Sequence, residues 1–409
     1  MLIAAAGSLP YSLYPIPYCL FPIPFKSGGL SVPALSMMIK PVSSGCNMRC
    51  QYCFYADVAA HRQTPNYGVM TPDTMHALVR RAFIHADGQV SFSFQGGEPT
   101  LAGAQFYLDF LHEVRRCNSR GLPVSYALQT NGYDVSDEML ALFKEHGFLL
   151  GVSLDGPEDM HDALRKDAFG RGTYRRVMRT IEKLRAFGIP YNILCVVTAE
   201  TARKSRETWN ALREHRYLQF IPCIDGLEGG RSPHSLSAEA YGQFLIETYD
   251  LYEKAFREGS PVSERRFDNY LSILAGLPPE ACGMCGQCGL YYLVEADGSV
   301  YPCDFYVLDE WKMGDINAVS LARMAKSQPS AAFRQASVRL PEACRGCPYL
   351  NLCRGGCRRD REPFRDGVPS ENRFCQSYRM FFDARLPRLA SLTERVIAAQ
   401  QTGGTLPSR

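Results

Sequence analysis

Eleven of the sixteen cysteines in this 409-residue chain stand in three spaced groups. Thiolates in such groups are the ligands of iron–sulfur clusters and of structural zinc. The first group is Cys46-x3-Cys50-x2-Cys53, followed at once by Phe54 and Tyr55. The second is Cys282-x5-Cys288-x14-Cys303, and the third is Cys344-x2-Cys347-x5-Cys353-x3-Cys357-x17-Cys375. A four-iron cube held by only three thiolates leaves one iron open to a ligand that is not protein, which is where chemistry can begin. A structural zinc site takes four ligands, and the nearest fourth candidate for the first group, His61, stands at an unusual distance. Cys19, Cys117, Cys195 and Cys223 lie outside the groups and read as ordinary thiols.

Positioning these groups requires elements, and the hydrophobic pattern supplies them. Short apolar runs at Met38–Val42, Val90–Phe94, Val124–Gln129, Leu149–Leu154, Asn192–Val197 and Tyr217–Ile221 read as strands. Amphipathic stretches alternate with them: one from Thr71-Pro72-Asp73 through Phe83, then Gln105–Arg116, Asp137–His146, Tyr174–Phe187 and Thr201–His215. Six βα repeats imply a parallel sheet with right-handed crossovers, and two further units for a closed barrel are absent. The expected fold is therefore α/β, a partial (β/α)6 barrel with its active residues at the C-terminal ends of the strands. Polar motifs fall there: Gln95-Gly96-Gly97-Glu98-Pro99, Gln129-Thr130-Asn131-Gly132 and Ser153-Leu154-Asp155-Gly156. Residues 237–275 read as mainly helical. Tyr291–Glu295 and Ser299–Tyr301 flank the two-residue turn Asp297-Gly298, and Ala384–Gln400 reads as a closing helix. The division is an extension at 1–35, the barrel at 36–235, a helical connection at 236–280, a cysteine-rich unit at 281–380 and a tail at 381–409.

A formal net charge of +3 gives no basis for binding nucleic acid or an anionic membrane. The runs Arg175-Arg176 and Arg358-Arg359-Asp360-Arg361 read as solvated faces or local ion pairs. Disulfide frameworks belong to small domains without adequate cores, whereas 46% of this chain is hydrophobic. Thiolate clusters need a reducing compartment, so the expected location is the cytoplasm. Six prolines break up residues 1–35, and no Lys or Arg precedes Lys26, so neither a signal peptide nor a spanning helix is expected there. This segment reads as a loose extension or an over-long start, with Met37 and Met38 as an alternative beginning just before the first strand.

The Cys46/Cys50/Cys53 spacing after a first strand, with an aromatic next, resembles the signature of radical S-adenosylmethionine (SAM) enzymes. The resemblance implies that SAM chelates the open iron and is cleaved on reduction to methionine and a 5′-deoxyadenosyl radical. Gln95-Gly96-Gly97-Glu98-Pro99 resembles the motif that receives the SAM amino group, with Gly96 and Gly97 allowing close backbone approach and Glu98 orienting the site. Ser153 and Asp155 resemble residues that face the SAM ribose, although Asp155-Gly156-Pro157 is also a fair strand-ending turn. The C-terminal cysteines resemble a SPASM domain with two auxiliary four-iron clusters. The family pattern assigns Cys282, Cys288, Cys303 and Cys357 to the first and Cys344, Cys347, Cys353 and Cys375 to the second. That makes three [4Fe-4S] clusters in all. Cys285 has no role in the pattern, and its place within Cys282-Gly-Met-Cys285-Gly-Gln-Cys288 leaves that ligand set open.

Longer strings narrow the resemblance. Cys-Asn-Met-Arg-Cys-Gln-Tyr-Cys-Phe-Tyr from Cys46, Phe-Gln-Gly-Gly-Glu-Pro-Thr-Leu-Ala-Gly from Phe94, Asn-Ile-Leu-Cys-Val-Val-Thr from Asn192 and Glu-Ala-Asp-Gly-Ser-Val-Tyr-Pro-Cys-Asp-Phe-Tyr-Val-Leu-Asp from Glu295 are similar to the anaerobic sulfatase-maturating enzymes. The match runs from about residue 36 to the end. It implies oxidation of a Cys or Ser of a sulfatase polypeptide to Cα-formylglycine. Hydrogen-atom abstraction from Cβ begins the reaction, and Asp304 is the general base. An electron leaves through an auxiliary cluster, and a flavodoxin or ferredoxin serves as donor. Tyr55, Gln95, Asn131 and Ser153 are then contacts to SAM or substrate, and Arg165 a contact to the substrate backbone. Asp297, in the hairpin turn, and Asp309 are the acidic controls. Two alternatives stay open at this point: a SPASM maturase forming thioether or carbon–carbon links in another peptide, and a non-catalytic zinc module.

Overall fold

A computed structural model describes residues 35–230 and 232–402. Strands β1 (Leu35–Ile39), β2 (Val90–Phe94), β3 (Val124–Thr130), β4 (Leu149–Ser153), β5 (Tyr191–Val197) and β6 (Tyr217–Pro222) lie side by side in chain order, all parallel. Helices alternate with them: α1 (Phe54–Ala60), α2 (Pro72–His85), α3 (Gly103–Cys117), α4 (Asp137–Glu145), α5 (Glu158–Leu164), α6 (Tyr174–Phe187), α7 (Ala199–Arg203) and α8 (Ser205–Leu212). Their starts follow local chemistry. Thr71 caps α2 by accepting from the Thr74 N–H with Pro72 at the first turn, and Ser136 caps α4 by accepting from the Met139 N–H. The apolar faces of α2, α3, α4 and α6 join the strand residues in one core that includes Leu78, Phe110, Phe143 and Ile181.

The sheet goes further than the six βα units. A short β7 (Ser263–Glu264) adds beyond β6, between α9 (Ala238–Arg257) and α10 (Arg265–Leu274), so the stretch expected to be helical is interrupted once. At the other edge β8 (Tyr292–Val294) pairs parallel to β1. Its hairpin partner β9 (Ser299–Tyr301) and β10 (Gly314–Asp315) complete the ten-stranded order β10-β9-β8-β1-β2-β3-β4-β5-β6-β7. The cysteine-rich part thus begins as an extension of the barrel's own sheet.

The first strand starts three residues before its expected position, and Met37 and Met38 lie buried within it. The expected helix Thr201–His215 divides at Lys204 into α7 and α8. The closing helix spans Cys375–Thr402, longer than expected. The cysteine and polar residues of its first turn hid a face that buries Tyr378, Phe381, Phe382, Leu389 and Leu392. The expectations for residues 1–34, and for Cys19, lie outside the described residues.

Candidate active site at the strand ends

The register decides what meets at the top of the sheet. Ile39 pairs with Phe94 on one side and Val294 on the other, so Lys40, Gln95 and Glu295 leave the sheet together. The loop after β1 carries Cys46, Cys50 and Cys53, and the loop after β2 is pressed against it. Gly97 donates its N–H to Ser43 O at 3.0 Å, and Glu98 to Gly45 O at 2.7 Å. A Cβ on Gly97 would lie 2.0 Å from Gly45 O, and Gly96 holds φ +122° with Ser43 O 2.9 Å from where its Cβ would be. The two glycines therefore let one backbone lie against another, with the cysteine loop as the neighbour.

The three thiols of that loop act on one another. Burial raises the Cys46 and Cys50 pKa values, that of Cys50 to about 11, and the Cys53 thiolate adds to both. Such thiols ionise readily only onto a cation, as cluster iron provides. The Met48 N–H points at Cys46 Sγ from 3.4 Å and Asn131 Nδ2 from 3.6 Å, the hydrogen bonding a ligand sulfur receives. His61 is engaged elsewhere, with Nδ1 2.8 Å from Asp57 O and Nε2 3.4 Å from Glu228. The donor set fits a three-thiolate cluster.

Glu98 braces this arrangement from below. It is buried, and its carboxylate accepts from the Thr100 N–H (3.1 Å) and hydroxyl (2.7 Å), the Thr130 hydroxyl (2.9 Å) and the Asn131 N–H (2.7 Å). Burial pushes its pKa up and these four donors oppose it. Asn131 passes the support on, donating to Asn47 Oδ1 at 2.8 Å. Gln129 donates to Ser153 Oγ at 3.2 Å, leaving the buried Gln129 Oε1 without a partner. Gln95 is half-buried beside them.

Asp155 and Arg165 are joined by a residue that the sequence reading passed over. Tyr52, between Cys50 and Cys53, donates to Asp155 Oδ2 and accepts from Arg165 Nη1 at 2.9 Å. Asp155 Oδ1 also accepts from the Val196 N–H at 2.9 Å. All three side chains adjoin the Cys50 thiol, which Arg165 stabilises as thiolate. Beneath them the buried His161 accepts from the Asp155 N–H through Nδ1 (3.3 Å) and lies 3.0 Å from Thr173 Oγ1 through Nε2, while Thr173 donates to Arg165 O. An aromatic residue between two spaced cysteines was the available signal for Tyr52.

Asp304 opens a 3-10 turn (Asp304–Tyr306) after β9. Its carboxylate lies 3.4 Å from the Tyr55 hydroxyl and 3.5 Å from Cys303 Sγ. Burial raises its pKa, and Cys303, Lys40 and Tyr55 pull it back. The Lys40 ammonium stands 5.2 Å from the centre of the Tyr55 ring. Lys40 and Arg62 both bind the buried Glu295, at 2.7 and 2.6 Å. Burial raises the Glu295 pKa, and the two cations more than reverse that, holding it low. Asp297 accepts from Ser299 and Asp309 from the Gln63 N–H, so both control acids are committed to local structure.

Farther along, burial raises the thiols of Cys282, Cys288, Cys303 and Cys357. Cys303 and Cys357 each feel Cys282 and Cys288, so the four form one electrostatic group. Cys285 stands close enough to act on Cys282 and to feel Cys288, while its Sγ donates to Ala281 O and Pro279 O at 3.6 and 3.8 Å. Cys344, Cys347, Cys353 and Cys375 form a second group, with Arg379 against Cys375 and Cys347. The run Arg358-Arg359-Asp360-Arg361 corrects the sequence reading. Far from being a solvated face, it buries Arg358, Asp360 and Arg361, because it follows Cys357 into the interior. Arg175 does pair locally, with Glu158 at 2.9 Å.

Comparison with known proteins places this geometry. Residues 41–208 match the radical SAM superfamily and residues 280–348 the iron–sulfur cluster-binding SPASM domain. The chain is 40% identical over 371 residues to the cysteine-type anaerobic sulfatase-maturating enzyme of Clostridium novyi, covering 90% of this chain and 99% of that one. It is 30% identical over 389 residues to the serine-type enzyme of Bacteroides thetaiotaomicron, covering 90% and 93%. The solved structure of native anSMEcpe with bound AdoMet and Cp18Cys peptide matches with a TM-score of 0.85 at 39% identity, covering 89% of this chain and all of that one.

Proposed function

The chain belongs to the anaerobic sulfatase-maturating enzymes of the radical SAM superfamily, and from that membership we propose that it oxidises one cysteine of a sulfatase polypeptide to Cα-formylglycine. The preference for cysteine over serine rests on the higher identity to the cysteine-type relatives. The observation that carries the mechanism is the approach of Tyr55 and Asp304. Tyr55 stands two residues beyond the open thiolate set and Asp304 directly beyond a closed one, yet they lie 3.4 Å apart.

SAM bound at the open cluster supplies, on one-electron reduction, an oxidant able to take a hydrogen atom from the target Cβ. The protein's part is to hold and shield the reactants. Cys46, Cys50 and Cys53 hold the cluster. Gly96, Gly97 and Glu98 fix the loop around it, Ser153 and Asp155 face the nucleoside side, and Arg165 meets the substrate backbone. Gln95 and Asn131 border the peptide. Asp304 removes the proton of the target thiol, its burial making it a stronger base than an ordinary aspartate. Cys282, Cys288, Cys303 and Cys357 would hold one auxiliary cluster, which would supply an acceptor for one electron, and Cys344, Cys347, Cys353 and Cys375 would hold a second. A flavodoxin or ferredoxin in a reducing cytoplasm is the donor. Among the described residues no helix is long and apolar enough to cross a membrane.

Reconstituted, reduced enzyme incubated with SAM and matched Cys and Ser sulfatase peptides tests the reading. The expected result is 5′-deoxyadenosine together with formylglycine from the Cys peptide. Absence of both products with either peptide would overturn it.

A further inference from the structure

Among the described residues no carboxylate pairs with the buried guanidinium of Arg358. Arg358 is 5% exposed. Its Nη1 donates to Phe333 O at 3.1 Å and its Nε has no partner. Four rings enclose it: Tyr306, Trp311, Phe333 and Phe364, with centres 5.1, 5.0, 4.4 and 4.3 Å from Cζ. The nearby acids are otherwise occupied. Glu362 accepts from the Tyr306 hydroxyl at 2.6 Å, and Asp360 is surrounded by Arg373, Arg266, Arg359 and Arg361. A buried cation needs a compensating anion, and ring faces supply only part of that.

The missing anion has an address. Arg358 directly follows Cys357, and Tyr306 of the cage lies three residues beyond Cys303. Phe333, whose carbonyl takes the Arg358 Nη1, lies one turn before Ser337 on the same helix (Gln328–Val338), and the Ser337 hydroxyl accepts from the Cys288 N–H at 2.8 Å. A four-iron cluster on four thiolates is an anion, and each electron it takes adds another negative charge. In the dry surroundings of four rings, a fixed positive charge is weakly screened and favours the more negative state.

We propose that Arg358 is the built-in counter-ion of the auxiliary cluster held by Cys282, Cys288, Cys303 and Cys357, raising its reduction potential so that it accepts the electron left on the substrate. This rests on the reading of those four thiols as cluster ligands. The balance is that a hydrogen atom leaves Cβ, a proton leaves sulfur for Asp304, a carbon–sulfur double bond forms, and the one remaining electron passes to the cluster. Arg358 touches no reactant, so it is a positioning charge and not a catalytic residue.

The test is an anaerobic redox titration of fully loaded enzyme followed by electron paramagnetic resonance. In Arg358→Gln this cluster's potential shifts to more negative values, in Arg358→Lys it stays near wild type, and the second auxiliary cluster is unmoved in both. An unchanged potential in Arg358→Gln overturns the proposal. Should that variant fail to load iron, Phe364→Leu admits water to the cage while keeping the charge. A negative shift there supports the proposal and no shift overturns it. A wild type lacking this cluster's signal overturns the ligand reading itself, whatever the variants do.

Discussion

Asp304 and Asp155 do different work with the same carboxylate chemistry. Asp304 is half-buried and held by two long contacts, whereas Asp155 is tied by Tyr52 and the Val196 N–H into the wall beside Cys50. Replacing Tyr52 by Phe keeps the ring and removes the link between Asp155 and Arg165. Loss of a buried hydrogen bond to a charged group costs about 1.5–3 kcal/mol, to be read by denaturant unfolding of the holoenzyme against wild type. His161 gives a pH dependence of defined sign. Burial, helped by the Arg165 charge, lowers its pKa to about 2, so the folded protein keeps it neutral where the unfolded chain protonates it. Stability is fully present above the ordinary histidine range and falls as pH drops below about 6.5, by up to about 1.4 kcal/mol per unit. Melting temperatures of wild type and His161→Gln from pH 7 to 5 check this: the variant should show the shallower decline. Short, fixed spacing made Cys46, Cys50 and Cys53 legible, whereas the two auxiliary sets, one of which joins Cys303 to Cys357, came from the family resemblance. Tyr52 was hidden as an unspecified residue inside a motif, and Arg358 in a charge run whose burial has no local signature.

At the scale of elements, the glycines after β2 matter for the loop they support. Gly97→Ala places a methyl 2.0 Å from Gly45 O, and backbone must move on one side. The expected outcome is loss of the radical cluster alone, about four of about twelve irons, with the auxiliary clusters retained. Iron and sulfide analysis reads it directly, and full iron content with normal SAM binding would contradict it. The six strands and their polar ends could be read in advance because short apolar runs and the turn residues that bound them are local. The two-residue β7 and β10 are too short for any periodicity, and the parallel seating of β8 against β1 is a tertiary choice.

Across the whole molecule, the buried Glu295 ties the cysteine-rich hairpin to the first strand through Lys40 and to the segment after α1 through Arg62. Its partners lie 255 and 233 residues away, so no sequence pattern announces the contact. Glu295→Gln leaves two buried cations facing each other and should cost about 3–5 kcal/mol in thermal or denaturant unfolding. A change within experimental error would show the hairpin is held by packing alone. The join also brings Asp304, carried by the hairpin side, to Tyr55, carried by the barrel side. The account divides the reaction between those two sides, and Asp304→Asn separates them. The variant should hold about twelve irons and still cleave SAM to 5′-deoxyadenosine, while formylglycine falls by about 100-fold or more. Formylglycine formed at the wild-type rate by Asp304→Asn would contradict the division.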